Sequence, residues 1–197
     1  MKVLYLTNPQ SEFGEYIPKV LKLQGLEVLT CTLEIHSDDT VGMDYIISDR
    51  YSNKISNIIC NDFKGKSLNL HSSFLPFFRG SYPVLFSILN GKVPGWSIHR
   101  ISEKIDCGEI LCQKKINLDL QSDTLRTAWL RCQLEMMTYL VTNFLYFTKQ
   151  NCFREFKAKP SNVAGQFHFR KDLKAVSDLL TNGWDTPVSQ IFGLRRS

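Results

Sequence analysis

Three residues of this sequence, an asparagine, a histidine and an aspartate, have types and spacing suited to acid–base chemistry. Asn69 and His71 lie in SLNLHSSFLPFFRG, and Asp106 lies in KIDCGEIL. Side chains two residues apart on a strand point to the same side of a sheet. An amide can stabilise an oxyanion, an imidazole can move a proton near neutral pH, and a carboxylate can orient that imidazole. Without a Ser or Cys at a strained nucleophile turn, these residues predict direct acyl transfer in which the substrate supplies the nucleophile.

The elements that must position these residues follow an α/β pattern. Val3–Thr7 is a continuous apolar run, typical of a strand buried on both faces of a parallel sheet. Further strands and helices alternate after it, with strands predicted at 26–33, 44–48 and 67–71 and helices at 12–23 and 54–60. This alternation predicts an α/β fold with a Rossmann-like, mostly parallel sheet and helices on both faces.

The second half of the chain is predicted to complete this sheet. A helix is expected at 81–90, strands at 96–101 and 109–118, and a long helix at 122–149 that Ser122 would cap. Two short helices are expected near 173–180 and 188–192. We therefore predict a catalytic domain over residues 1–150 and a short C-terminal extension over 151–197.

The composition limits the class of protein. The chain has 197 residues, of which 43% are hydrophobic, and a net charge of +5, as expected of one globular domain. Six cysteines form no CxxC pair and four histidines do not cluster, so we expect no metal. There is no dense Lys/Arg block, signal peptide or long apolar run, so we expect no nucleic-acid partner, no membrane segment and a cytoplasmic location.

Two motifs give the sequence a resemblance to a known family. NLHSSFLPFFRG resembles the N-x-H-x-S-x-L-P-x-x-R-G signature of formyltetrahydrofolate-dependent transferases, and IDCGEIL resembles their D-x-G-x-I-L turn. The tail GQFHFRKDL, followed by WDTPVSQI, resembles bacterial nucleotide-sugar N-formyltransferases. The resemblance implies the formyltransferase fold and transfer of a formyl group from 10-formyltetrahydrofolate to the amine of a dTDP-linked 4-amino-4,6-dideoxy sugar. It also implies a role in O-antigen or other surface glycan synthesis.

The resemblance also implies roles for individual residues. Asn69, His71 and Asp106 correspond to the catalytic residues, with either His71 or Asp106 as the proton acceptor. The residues expected to bind the folate are Asp49, Arg50, Tyr51, Phe74, Leu75, Arg79, Gly80 and Ile105. Those expected to bind the nucleotide sugar are Lys54, Phe167, His168 and Arg170, with Phe167 stacking on thymine. The extension after Gln150 is expected to contribute to substrate binding or to a homodimer.

Some features depart from the pattern or leave alternatives open. Only 68 residues precede Asn69, so we expect at least one strand–helix unit to be trimmed. Glycinamide ribonucleotide formyltransferase is an alternative, but it needs a Gly/Ser-rich phosphate loop where this chain has TNPQSEFGE. Another alternative is a non-catalytic folate-binding protein. His99 is expected to be structural rather than catalytic, and Trp129 to pack on its helix.

Overall fold

A computed structural model describes residues 1–150 and 165–195 of the chain. Its strands are β1 (Lys2–Thr7), β2 (Glu27–Cys31), β3 (Tyr45–Asp49), β4 (Ser67–His71), β5 (Arg79–Gly80), β6 (Gly95–His99), β7 (Ile110–Lys115) and β8 (Phe167–His168). Its α-helices are α1 (Tyr16–Leu23), α2 (Asn57–Asp62), α3 (Pro83–Leu89), α4 (Leu125–Gln150) and α5 (Val188–Ile191).

The central sheet has six strands in the order β2-β1-β3-β4-β6-β7. The strands β1 to β4 are mutually parallel, and β6 and β7 are antiparallel to their neighbours. Parallel strands end at the same edge of a sheet, so β1, β3 and β4 deliver their last residues to one crevice. The predicted mostly parallel α/β sheet is confirmed.

Each face of the sheet is covered by helices, because side chains on a strand alternate between the two faces. Val3 and Tyr5 of β1 pack in one core with residues of α1, α3 and α4. Leu4 and Leu6 pack on the opposite face with Ile59 of α2. Strands buried on both faces explain the continuous apolar run at the start of the sequence.

Several predicted boundaries shift for local reasons. The helix predicted from residue 12 begins at Tyr16, which places Pro18 in its first turn, where a missing N–H leaves no helical bond unmade. The long helix is capped by Thr124 and not by the predicted Ser122. The hydroxyl of Thr124 accepts from the N–H of Thr127 at 3.2 Å, and that of Thr127 accepts from the N–H of Thr124 at 2.9 Å.

The first half of the chain is shortened in the connection between β2 and β3. It contains only one turn of 3-10 helix, Ser37–Thr40, in place of an α-helix. The helix predicted near 173–180 is likewise a 3-10 segment, Arg170–Leu179.

The part of the C-terminal extension that the structure describes packs against the first 150 residues. β8 pairs in parallel with β5, and Val188 of α5 is buried in the core that contains α3 and α4. Residues 151–164 of the predicted extension lie outside the described residues, so its boundary and its role in dimerisation stay predictions. Among the described helices, none is both long and apolar enough to cross a membrane.

Candidate active site

The structure brings the three predicted catalytic residues together at one end of the sheet. Asn69 and His71 stand on β4, and Asp106 lies in the loop between β6 and β7. The amide Nδ2 of Asn69 donates to Asp106 Oδ1 at 3.2 Å, and His71 Nδ1 lies 3.7 Å from Asp106 Oδ2. The carboxylate of Asp106 is therefore the centre of the cluster.

A tight turn presents Asp106 to this cluster. Asp106 has a positive φ of 52°, a strained conformation for a residue with a side chain, and such strain concentrates at functional sites. A Cβ on Gly108 would lie 1.9 Å from the carbonyl oxygen of Arg100, which leaves room only for glycine. The close approach of Gly108 to the end of β6 therefore explains the D-x-G spacing.

The loop after β4 provides backbone groups to the cluster. The N–H of Gly80 donates to Asp106 Oδ2 at 2.8 Å, and His71 Nε2 lies 3.2 Å from the carbonyl oxygen of Phe78. A carbonyl can only accept, so the hydrogen is on Nε2 of neutral His71, and Nδ1 keeps its lone pair towards Asp106. His71 is thus arranged to accept a proton at Nδ1.

His99 is a member of the cluster that the sequence-based prediction left out. It stands directly opposite Asn69 in the antiparallel pairing of β4 and β6. Its Nδ1 donates to the carbonyl oxygen of Arg100 at 2.8 Å, so its Nε2 accepts from Asn69 Nδ2 at 3.0 Å. Both hydrogens of the Asn69 amide are therefore directed, one to His99 and one to Asp106. Only the strand register could have revealed this contact.

Burial and neighbouring charges set the protonation of the cluster. Burial alone would raise the pKa of Asp106, but His71, His99 and the N–H of Gly80 outweigh it and hold that pKa well below its usual range. For His71 burial dominates over the attraction of Asp106 and lowers its pKa. At neutral pH the site therefore holds an ionised carboxylate and a neutral imidazole.

A cavity of about 900 Å³ opens from this cluster. That volume lies at the upper end of the range for small-molecule sites. The predicted binding residues that line it are Arg50, Tyr51, Lys54, Gly80, Ile105, Phe167, His168 and Arg170. The cavity is also lined by Ile101 and Ser102, which follow β6, and by Trp129 and Gln133 of α4.

Four predicted folate contacts do not line this cavity. Asp49 is fully buried and accepts from the hydroxyl of Tyr5 at 2.9 Å. The N–H of Leu75 donates to Ser97 Oγ, and the ring of Phe74 lies 5.3 Å from Lys115 Nζ. Arg79 pairs with Phe167 across β5 and β8.

Asp49 and Leu75 are buried among protein groups, and none of the four residues is on the lining of this cavity. Their contact with the folate stays a prediction.

The predicted substrate-binding residues line the cavity, and His168 and Arg170 contact different protein groups. The ring of His168 stacks on Phe86 with centroids 3.7 Å apart, and burial lowers its pKa, so it is neutral at pH 7. Arg170 donates to Ser52 Oγ at 2.7 Å. His168 can therefore hydrogen-bond a ligand but does not carry a charge for a phosphate.

Arg50 and Trp129 make a contact that joins two walls of the cavity. The guanidinium of Arg50 lies 5.2 Å from the ring centroid of Trp129 and donates to Ser11. Trp129, predicted to pack on its helix, therefore lines the cavity. Among residues 1–150 and 165–195, no three His, Cys, Asp or Glu side chains are grouped so as to hold a metal ion.

Comparison with known proteins gives a family for this site. A model of the formyl transferase family matches residues 34–142, more than half of the chain. GDP-perosamine N-formyltransferase of Brucella melitensis is 40% identical over 128 residues, which cover 62% of this chain and 49% of that protein. Methionyl-tRNA formyltransferase of Finegoldia magna is 40% identical over 82 residues, or 41% of this chain and 26% of that protein.

A solved structure matches nearly the whole chain. The formyltransferase PseJ from Anoxybacillus kamchatkensis, in complex with UDP-4,6-dideoxy-4-formamido-L-AltNAc and tetrahydrofolate, superposes with a TM-score of 0.87 at 28% identity. The match covers 98% of this chain and 99% of PseJ. In contrast, the chain spans about a quarter to a half of the length of the curated relatives that it matches.

Proposed function

This chain belongs to the formyl transferase family, and from that premise we propose that it transfers a formyl group from 10-formyltetrahydrofolate to the amine of a nucleotide-linked amino sugar. The observation that carries the proposal is the cluster of Asn69, His71 and Asp106 at the end of one cavity. PseJ, a relative at 28% identity, was solved with a 4-formamido sugar nucleotide and tetrahydrofolate. That ligand pair supports both halves of the proposed reaction.

The cavity fits two ligands that meet at the cluster. Its wall of Ile101, Ile105 and Tyr51 combines apolar side chains with the backbone of the turn, as a folate ring requires. The lining also includes Trp129 and the cationic group of Arg50, which lies 5.2 Å from the centroid of that ring. Bound against Ile101, Ile105 and Tyr51, the folate would supply the activated formyl carbon, and the cavity would exclude water from that carbon.

His71 is the proton acceptor in this proposal. Its Nδ1 carries a lone pair, it is neutral at pH 7, and it lies beside the carboxylate of Asp106. Proton transfer from the attacking amine to His71 Nδ1 creates an imidazolium, which the ionised Asp106 stabilises. Asp106 itself is a weak base because its pKa is strongly lowered and its oxygens already accept from Gly80 and Asn69.

Asn69 stabilises the oxyanion that forms as the amine adds to the formyl carbon. One of its two amide hydrogens must turn from His99 or Asp106 to that oxygen. Transfer of a proton to His71 makes this turn easier, since the imidazolium then provides Asp106 with another donor. The same step therefore links proton acceptance by His71 to oxyanion binding by Asn69. Collapse of the adduct of amine and formyl carbon then breaks the bond between the formyl carbon and N10 of the folate, and the imidazolium of His71 returns its proton to N10, so that tetrahydrofolate leaves.

We propose that the acceptor is a dTDP-linked 4-amino-4,6-dideoxy sugar and that the reaction serves surface glycan synthesis. The 4-formamido group in the PseJ complex supports an amine at C4. The sugar in the PseJ complex is linked to UDP, and the name of the Brucella relative contains GDP-perosamine. The assay therefore compares sugars that are linked to different nucleotide bases.

Glycinamide ribonucleotide has less support as an acceptor. Its phosphate needs backbone donors after β1, but the side chain of Asn8 accepts from the N–H of Gln10 there, and the carboxylate of Glu12 lines the cavity. The N–H of Gln10 is therefore not available to a phosphate.

The test supplies 10-formyltetrahydrofolate together with a UDP-, GDP- or dTDP-linked 4-amino-4,6-dideoxy sugar. Release of tetrahydrofolate and a gain of one formyl group by mass spectrometry are the expected results, with glycinamide ribonucleotide as the comparison acceptor. Absence of turnover with every amino sugar nucleotide would reject the proposal. Turnover with glycinamide ribonucleotide alone would favour the alternative.

A further inference from the structure

Gln133 is a buried amide that lines the cavity and is only half used. Its side chain stands on α4, and the residue is 1% exposed. Its Nε2 donates to Ser72 Oγ at 2.8 Å, whereas Oε1 has no hydrogen-bond partner among residues 1–150 and 165–195. An unpaired buried acceptor is unfavourable, so a ligand that donates to it would bind more tightly.

A ligand donor that pairs with Gln133 Oε1 would lie near the predicted catalytic residues. Ser72, the partner of Gln133, directly follows His71, and both residues line the same cavity. The terminal torsion of a glutamine is soft, so its amide can turn towards a ligand within the same rotamer. A ligand group that pairs with Oε1 would therefore lie near Ser72, the residue that follows His71.

The surroundings identify which of the two ligands this would be. Trp129 lies four residues before Gln133, hence on the same face of α4 and about 6 Å along its axis. The guanidinium of Arg50 is held over Trp129, and its Nε has no hydrogen-bond partner among the described residues. The Gln133 amide and the Arg50 cation, which both lie near Trp129, match a sugar ring followed by a phosphate. The apolar side chains of Ile101 and Ile105, which line the same cavity, match the folate.

We propose that Gln133, Trp129 and Arg50 form the acceptor subsite, in which Gln133 accepts a hydrogen bond from a hydroxyl or amine of the sugar ring and Arg50 binds the diphosphate. The proposal rests on the proposed function, since it divides the same cavity between acceptor and folate. It assigns the diphosphate to Arg50, which the sequence placed among the folate contacts. It also gives Gln133 and Trp129 a role in substrate selection.

The test measures sugar and nucleotide binding separately. Gln133→Met keeps the length of the side chain, and we expect it to raise the KM for the amino sugar nucleotide about tenfold, the cost of one hydrogen bond. The KM for 10-formyltetrahydrofolate should stay within about twofold. UDP, GDP and dTDP are titrated alone by calorimetry, and the tightest of the three serves as the probe. Gln133→Met should bind that probe like the wild type, because the probe has no sugar ring beyond its phosphates.

Trp129→Leu tests the other end of the subsite. Without the ring that supports Arg50, affinity for the nucleoside diphosphate should fall about tenfold. Asn143→Leu is the matched control, since it removes an amide on α4 that bonds to the carbonyl oxygen of Tyr139 outside the cavity. It should change none of these constants.

The outcomes separate this inference from the proposed function. An unchanged acceptor KM in Gln133→Met, or unchanged diphosphate affinity in Trp129→Leu, overturns the subsite even when the wild type transfers formyl groups. Failure of the wild type to bind any of the three diphosphates also overturns it. Binding that Trp129→Leu weakens, without transfer to any amino sugar, would instead reject the proposed function alone. Should Gln133→Met not fold, Ser72→Ala frees the amide, and a several-fold rise in acceptor KM is then required.

Discussion

The backbone N–H of Gly80 donates to the carboxylate of Asp106 at 2.8 Å. This bond joins the two motifs of the sequence, one after β4 and one between β6 and β7, although 26 residues separate them. It also fixes one oxygen of Asp106 so that the other can accept from Asn69. Gly80 of the R-G pair is therefore part of the hydrogen-bonded cluster and not only a connection to α3.

Replacing Gly80 by alanine should disturb this geometry. Gly80 has a φ of +83°, and a Cβ there would lie 2.3 Å from the carbonyl oxygen of His168. The backbone must shift to relieve the clash, and Asp106 then loses a donor. We expect Gly80→Ala to lower kcat at least about tenfold, as measured by steady-state formyl transfer.

Gly65→Ala provides the control for backbone strain. Gly65 also has a positive φ, of 78°, but nothing lies within 4 Å of its Cβ position. Both variants lose about 1–2 kcal/mol from the left-handed conformation. Equal activities of the two variants would show that the clash with His168 does not reach the active site.

Sequence patterns were sufficient for residues whose partners are local. Asn69 and His71 lie on one strand, so their spacing alone predicted that they face the same side. His99 meets Asn69 only through the register of β4 and β6, which no pattern within either strand determines. For Leu75, membership of the motif does not show that its N–H donates to Ser97, and its predicted contact with the folate stays a prediction.

Asp123 should make a large contribution to stability. It is 4% exposed, and its two oxygens accept from both terminal nitrogens of Arg131 at 2.7 and 2.8 Å. One oxygen also accepts from the N–H of Asp119, in the turn before α4. Asp123→Asn breaks this bidentate pair, so we expect a loss of about 2–3 kcal/mol in urea unfolding.

The exposed pair of Arg126 and Asp185 is the matched control for Asp123. Their side chains are about half exposed, so Asp185→Asn should cost less than about 1 kcal/mol. Burial would raise the pKa of Asp123, but Arg131 and its other donors lower it overall. Its contribution is therefore present above the unfolded pKa of about 3.9 and is lost as the pH falls further. Equal losses of unfolding free energy in Asp123→Asn and Asp185→Asn would contradict the argument that burial strengthens the Asp123–Arg131 pair.

Removing the imidazole of His71 should stop the chemistry without preventing binding. General base catalysis contributes about 10²–10⁴-fold, so His71→Ala should lower kcat by that factor. The affinity for the nucleoside diphosphate should stay close to that of the wild type, because the diphosphate site that we propose at Arg50 does not include His71. His36→Ala, an exposed histidine outside the cavity, should leave both values unchanged. A near-normal rate in His71→Ala would exclude it as the base.

The pH dependence of kcat/KM should report the titration of His71. The neutral imidazole is the active form, and burial lowers its pKa from the usual value of about 6.5. Activity should therefore be level above pH 7 and fall on an acid limb whose midpoint lies below 6.5. Asp106 opposes this lowering, so the residual activity of Asp106→Asn should show an acid limb at still lower pH. A limb that moves to higher pH in that variant would contradict the assignment.

His99 should act on the rate through Asn69, as a positioning residue. Its Nε2 accepts from the Asn69 amide at 3.0 Å, and it is 2% exposed. His99→Leu removes one of the two acceptors that orient that amide, so we expect kcat to fall about 10- to 100-fold with little change in either KM. His99→Gln retains an acceptor oxygen and should recover part of the loss. Because His71 still takes the proton, the acid limb should remain in both variants. Its disappearance in His99→Leu would instead show that His99 itself moves a proton.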